Sequence, residues 1–252
     1  MARGVQPDKH TAYYELLDAC ATGGCPVCAL TLAAVTSYLQ AITYEHVNDP
    51  EFRDAIVAAR GYCNTHSWRL RELRVALGTA LMYRDVIRDA AAELARPPAG
   101  GRPDLFGAGQ GQGHGGVRGR LSALTGRGAP DSGGRIVDPH RACPACQERD
   151  RYELLYLEAL LGHIRDERMA QAFADAGGLC MVHLDRLSAT TRQSAALERL
   201  LAVQRECLLR LHDELTEFVR KNDYRFSGEG MGPERDSWVR AVEIVAGKPG
   251  IR

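Results

Sequence analysis

One pattern of cysteine and histidine occurs twice in this chain, and it constrains the fold more than any other feature. The first copy runs Cys25-Pro26-Val27-Cys28, then His46 and Asp49, then Gly61-Tyr62-Cys63 and His66. The second runs Cys143-Pro144-Ala145-Cys146, then His163 and Asp166, then Gly178-Leu179-Cys180 and His183. Thirty-four residues separate Cys28 from Cys63, and thirty-three separate Cys146 from Cys180. The intervals from His to Asp (three) and from Asp to Cys (fourteen) are identical in both copies. Eight matched positions at nearly fixed spacing mark an internal duplication.

Each half offers three thiolates and one imidazole: Cys25, Cys28, Cys63 and His66, then Cys143, Cys146, Cys180 and His183. That is the donor set of a closed, tetrahedral structural zinc site. Two residues between cysteines let one turn present both sulfurs to a single ion, and the proline in that turn pre-sets φ. A cysteine just ahead of a helix, with a histidine in its first turn, completes the set. The expectation is two zinc ions, each closing a loop of more than thirty residues and each holding its own half together. Pairing across the halves satisfies the same ligand count, so the sequence leaves that choice open.

Two alternatives use the same side chains. An iron–sulfur cluster also takes cysteine and histidine ligands, and a Cys-x-x-Cys pair can act as a redox dithiol. A thioredoxin-like dithiol belongs at a strand-to-helix turn, and no run of alternating apolar and polar residues predicts a strand here. Covalent haem needs a histidine directly after the second cysteine, where Ala29 and Gln147 stand. His46 and His163, each seventeen residues before a ligand cysteine, are candidates to orient a ligand from behind or to be partly buried structural histidines near a helix end. Cys20 and Cys207 have no counterpart in the repeat, and core packing is their expected role.

The ordered parts read as all-α. Tyr152, Leu155, Tyr156, Ala159 and Leu160 share one helix face. Leu197, Leu201, Gln204, Leu208, Leu211, Leu215 and Phe218 form a seam suited to bundle packing, and Leu70, Leu73, Leu77 and Leu81 start a similar one. Asn48-Asp49-Pro50-Glu51 and Asp166-Glu167 read as helix starts. Gly61 and Gly177-Gly178 read as helix ends. Each half is then a cysteine knuckle, a helix, a capped second helix, and Cys-x-x-His opening a long third helix. The fold expected is two pseudo-repeated zinc-stapled helical units packed as a bundle.

Residues 98–137 hold 13 of the 26 glycines, a composition that cannot repay its ordering entropy by burial. The expected organisation is therefore a first metal-binding repeat at 1–97, a Gly/Pro/Arg-rich flexible linker at 98–139 and a second repeat at 140–222. A C-terminal segment at 223–252 follows, with a short helix around Trp238 ended by Gly247.

With Cys-Pro-x-Cys and Gly-x-Cys-x-x-His both doubled, the chain resembles a bacterial family classified only as a domain of unknown function. The resemblance rests on the eight candidate ligands, on Asn48-Asp49-Pro50, and on Tyr224-Arg225-Phe226 and Ser237-Trp238. It covers both halves and the tail, leaves out the linker, and implies a helical metal-binding protein with no assigned activity.

Net charge is zero, so no whole-molecule attraction to nucleic acid or to an anionic membrane is expected. No signal peptide opens the chain and no stretch of about 18 uninterrupted apolar residues appears. The expected compartment is the cytoplasm, where thiols stay reduced. No Ser/His/Asp set or phosphate-binding loop is visible, and no small-molecule substrate is identifiable. The expected role is a protein-interaction or regulatory scaffold whose partner is another protein or a second copy of itself.

Overall fold

The computed structural model describes residues 9–95, 139, 141–226 and 228–251. Apart from Pro139, the linker read from the sequence lies outside them. Ten helices are described: α1 (Lys9–Ala21), α2 (Pro26–Tyr44), α3 (Pro50–Ala58), α4 (Asn64–Glu72), α5 (Ala76–Leu94), α6 (Pro144–His163), α7 (Glu167–Ala176), α8 (Met181–Thr190), α9 (Ala195–Lys221) and α10 (Ser237–Ala246). Among the described residues there is no strand, as the all-α reading requires.

The helix boundaries follow local chemistry. Asp49 Oδ1 accepts from the N–H groups of Glu51 (3.0 Å) and Phe52, and Pro50 takes the first helical position of α3. Asp166 Oδ1 accepts from the Met169 N–H at 3.0 Å to start α7. These bonds satisfy amide groups that a helix start leaves unpaired. Ser194 Oγ accepts from the Leu197 N–H at 3.2 Å and starts α9. At the other end of α7, Gly177 and Gly178 have φ of +94° and +88°, a region that costs side-chain-bearing residues strain.

The third helix of each half differs from the sequence reading. Cys-x-x-His opens α4 and α8, which are short, and a separate helix follows each. Arg74, at φ +57°, breaks the chain between α4 and α5, so Leu70, Leu73, Leu77 and Leu81 form no continuous seam. Leu70 is buried while Leu77 is exposed. The seam of α9 is also displaced. Its buried residues are Leu197, Leu200, Val203, Gln204 and Cys207, and Leu201 faces outward. Over a helix of 27 residues the 3.6-residue turn drifts away from a strict four–three seam, and α9 packs on α6, α7 and α10.

The two knuckle helices, α2 and α6, make the most extensive helix pair, and they run antiparallel. The N-terminal end of α2 (Val27, Cys28) joins the core formed by Tyr156, Leu157, Leu160 and Ile164 of α6 with Phe173, Leu179, Leu187 and Leu200. The N-terminal end of α6 (Ala145) joins the core of Val35, Leu39, Ile42, Ile56, Tyr62, Leu70, Met82 and Val86. Each knuckle thus inserts into the core of the opposite half. Helix α1 lies against the second half as well, through Leu16 and Leu17 and a 2.9 Å hydrogen bond from Tyr13 Oη to Asp166.

Helix α2 is long and apolar enough by composition to cross a bilayer. Its apolar face is accounted for within the bundle, where Val27, Cys28, Val35, Leu39 and Ile42 are buried against α6 and the surrounding helices. The tail folds back on α9. Lys221 Nζ donates to Glu234 at 2.8 Å, and the Gly232 N–H donates to the same carboxylate at 2.7 Å. The Gly232 amide and then Lys221 hold the Glu234 carboxyl down at about 2. Helix α10 then packs on α9 and α8, the short docked helix expected from Trp238 onward.

Candidate metal centre

The antiparallel pairing of α2 and α6 decides where the eight candidate ligands meet. Cys25 and Cys28 end up beside Cys180 and His183, and Cys143 and Cys146 beside Cys63 and His66. Within each group the ligand atoms all lie within 4.8 Å of one another. The assignment of one complete set to each half is therefore replaced by two clusters, each taking a Cys-x-x-Cys knuckle from one half and a Cys-x-x-His turn from the other. Both are sets of three sulfurs and one imidazole nitrogen, and both can hold a metal ion.

The first cluster is buried. Cys28, Cys180 and His183 have no exposed surface, and Cys25 is 4% exposed. His183 Nδ1 faces all three sulfurs, at 3.4 Å from Cys25, 3.4 Å from Cys28 and 3.2 Å from Cys180, and the Cys28 and Cys180 sulfurs are 3.6 Å apart. Gly247, at φ +76°, brings the chain after α10 so close that a Cβ there would sit 3.5 Å from the Cys180 sulfur and 3.6 Å from that of Cys28. Ile251, wholly buried, seals the same edge.

Behind His183 stands Glu153, fully buried on α6. Its carboxylate is 3.4 Å from His183 Nε2, 3.2 Å from Arg186 Nε and 3.8 Å from Arg149 Nε. Arg149 also donates to Asp150 at 2.8 Å and to the carbonyl of Ile251 at 3.2 Å. A carboxylate behind a ligand histidine fixes the ring's orientation and tautomer, so that the opposite nitrogen faces the metal.

The second cluster is partly open. Cys63, Cys143 and Cys146 are each partly exposed, although His66 is buried. His66 Nδ1 lies 3.3 Å from Cys63, 3.6 Å from Cys143 and 3.5 Å from Cys146, and the Cys63 and Cys146 sulfurs are 3.6 Å apart. Pro144, inside the knuckle, also lines a cavity of about 550 Å³ with Tyr38, Ile42, Phe52 and Arg141.

The metal-free protonation of the two clusters follows from these settings. In the buried one, desolvation and then the neighbouring Cys180 and Cys28 hold the Cys25 thiol well above its usual range. Hydrogen bonds from Cys25 and Cys28 and the adjacent His183 pull Cys180 far down. Burial opposes the charged form of His183, but Cys180, Cys28 and Glu153 outweigh it and raise the imidazole to about 11. In the metal-free buried cluster both shifts favour a thiolate at Cys180 beside a protonated His183. In the open cluster, burial and then Cys143 push the Cys146 thiol up to about 12. Burial likewise raises Cys143, whereas burial and Arg149 lower His66.

The remaining sequence candidates lie elsewhere. His163 ends α6 with its ring 5.0 Å from that of Tyr13. His46 sits 3.8 Å from Glu45 and lines the 550 Å³ cavity. The carbonyls of both accept from the amide of the aspartate three residues on, at 2.9 Å each. Cys20 and Cys207 are buried, and burial pushes the Cys20 thiol up to about 12.

Glu153, Arg149 and Arg186 were not found from the sequence, because the repeat carries only part of this arrangement. Counted from the knuckle, Arg149 and Glu153 correspond to Thr31 and Val35. Counted from the Cys-x-x-His turn, Arg186 corresponds to Arg69, whose guanidinium donates to Thr36 at 3.1 Å. The available signal was register: Glu153 lies two helical turns from Cys146, on the same face of α6.

The fold and donor sets define a duplicated, all-helical protein with two four-donor Cys/His clusters shared between its halves. The chain belongs to a family of unknown function, DUF6062, whose model matches residues 14–250. It is also similar to an uncharacterized 23.9 kDa protein in the xynA 3′ region of Caldicellulosiruptor sp. (strain Rt8B.4). That relative is 25% identical over 225 residues, covering 88% of this chain and 95% of the relative. No solved structure matches the chain.

Proposed function

We propose that the chain is a helical scaffold clasped by two structural zinc ions, and that it presents its surface to a protein partner or to a second copy of itself. The observation that carries the reading is the close approach of four donors in each cluster. Zinc bonds of about 2.3 Å to sulfur and about 2.0–2.1 Å to nitrogen, arranged tetrahedrally, put sulfurs about 3.8 Å apart and sulfur and nitrogen about 3.5 Å apart. The separations here are 3.6 Å for the Cys28–Cys180 and Cys63–Cys146 sulfurs and 3.2–3.6 Å between sulfur and nitrogen, with every donor pair within 4.8 Å.

Charge balance supports the same reading. Three thiolates and one divalent cation leave the buried cluster at −1, and Glu153 adds another negative charge. Arg149 and Arg186, which also pair with the part-exposed Asp150, offset this negative charge, as a buried charge requires. Four protein donors complete a tetrahedron without water, the arrangement of structural rather than catalytic zinc. An iron–sulfur cluster is the second reading, but it spreads its thiolates over several irons with sulfide between them. Ligand atoms within 4.8 Å of one another favour one ion. A reducing compartment, the cytoplasm, fits thiols kept as ligands.

Elemental analysis and a visible spectrum of protein purified without oxygen test the reading. Two zinc ions per chain and no visible absorbance are expected. Iron with a broad visible band would replace zinc by a cluster.

A further inference from the structure

The two clusters meet solvent on very different terms. The buried one is closed by Gly247 and Ile251, and although a cavity of about 340 Å³ touches Cys25, that residue is only 4% exposed. The other has three partly exposed cysteines and a cavity of about 550 Å³ against its knuckle proline. Oxidation of cysteine follows thiolate character and access, and metal coordination supplies the thiolate in both. Access then decides which cluster reacts.

Within the open cluster the Cys63 and Cys146 sulfurs lie 3.6 Å apart, in direct contact. These residues come from opposite halves of the chain, 83 positions apart. We infer that the Cys63–Cys146 pair is an oxidation site for hydroperoxides, at which a metal clasp between the halves is exchanged for a covalent one. The inference rests on the metal reading above and extends it to the regulation of one cluster.

The chemistry balances in two steps. One thiolate attacks the peroxide O–O bond, giving a sulfenic acid and, from hydrogen peroxide, hydroxide. The second thiolate then attacks the sulfenic sulfur, forming the S–S bond and expelling a second hydroxide. Two thiolates are oxidised by two electrons in all, and one peroxide is reduced. The metal, left with Cys143 and His66, departs as the hydrated ion, and Cys143 takes up a proton. The halves stay joined through the new bond, and the buried cluster keeps its ion.

The test uses the full chain loaded with zinc, its content measured first, and then treated with hydrogen peroxide in small excess without oxygen. Zinc release is followed with a chromophoric chelator, and disulfides are mapped by mass spectrometry of unreduced peptides. Release of one of the two zinc equivalents is expected, together with a Cys63–Cys146 cross-linked peptide lighter by two hydrogens. A dithiol reductant with added zinc should restore two equivalents. Release of both equivalents together, release of none, a Cys143–Cys146 pair, or first oxidation at Cys25, Cys28 or Cys180 each overturns the inference and leaves the two-zinc reading standing. A chain that takes up no zinc overturns both.

Discussion

In the buried cluster, Cys25, Cys28, Cys180 and His183 lie under the C-terminal segment with Glu153, Arg149 and Arg186 arranged behind them. In the other, three cysteines reach solvent, and Val35, packed into the first-half core, stands at the helical position that Glu153 occupies. The donor sets are the same because the duplication copied the motifs. The surroundings differ because each cluster is enclosed by non-equivalent elements. The C-terminal tail exists once and covers one cluster, and the polar face of α6 has no copy on α2. A repeated motif therefore transmits coordination chemistry but not burial, charge balance or reactivity.

The comparison is broken or sharpened most strongly by removing metal. Because each cluster joins both halves, chelation should loosen the whole bundle, with loss of helical circular dichroism. A clasp of the structural-zinc kind would contribute on the order of 10 kcal/mol at neutral pH. Hydrogen exchange that loses protection in one half alone would contradict the shared clasps.

Next come single ligands. Cys180→Ser and Cys63→Ser should each abolish one zinc equivalent, and the first should lower the melting temperature more. It leaves a hydroxyl in a fully buried site, an added penalty of about 1–3 kcal/mol when the group is unpaired. Equal losses for the two variants would erase the contrast in burial.

Acid should release metal from both clusters. Cys25, Cys143 and Cys146 have raised thiol pKa values in the metal-free chain, so they are protonated at neutral pH and metal must displace those protons. Affinity therefore rises with pH, by about tenfold per unit for each proton displaced, and falls as pH drops. The raised imidazole of His183 must also lose a proton, which the lowered thiol of Cys180 beside it offsets, whereas His66 is shifted toward its neutral form. The pH slopes of the two clusters should thus be similar when chelator competition is measured in single-cluster variants.

Glu153→Gln should weaken zinc at the buried cluster by about 10–100-fold, the usual effect of losing the group behind a ligand histidine. Val35→Ala should leave the open cluster's affinity unchanged. Competition assays on the two variants read both values. The smallest effect is expected at the caps: Asp49→Ala should cost about 1 kcal/mol in denaturant unfolding. Asp166→Ala should cost more, because it also removes the hydrogen bond from Tyr13.

The sequence by itself determined the donors, the caps and the helical class, but not the break at Arg74 or the buried face of α9. The eight donors, the caps at Asp49 and Asp166, the glycine turns and the all-α class depend on spacings of two to four residues. Tertiary structure decided the rest. Ligand partnership joins residues from 77 to 158 positions apart, and nothing local distinguishes a set within one half from a set across halves. The antiparallel packing of α2 and α6 makes that choice, because each knuckle is carried into the opposite core. The same packing brings Glu153 to His183, and the fold of the tail decides which cluster is dry. Those outcomes depend on which apolar faces bury one another across the whole chain, so no single stretch of sequence encodes them.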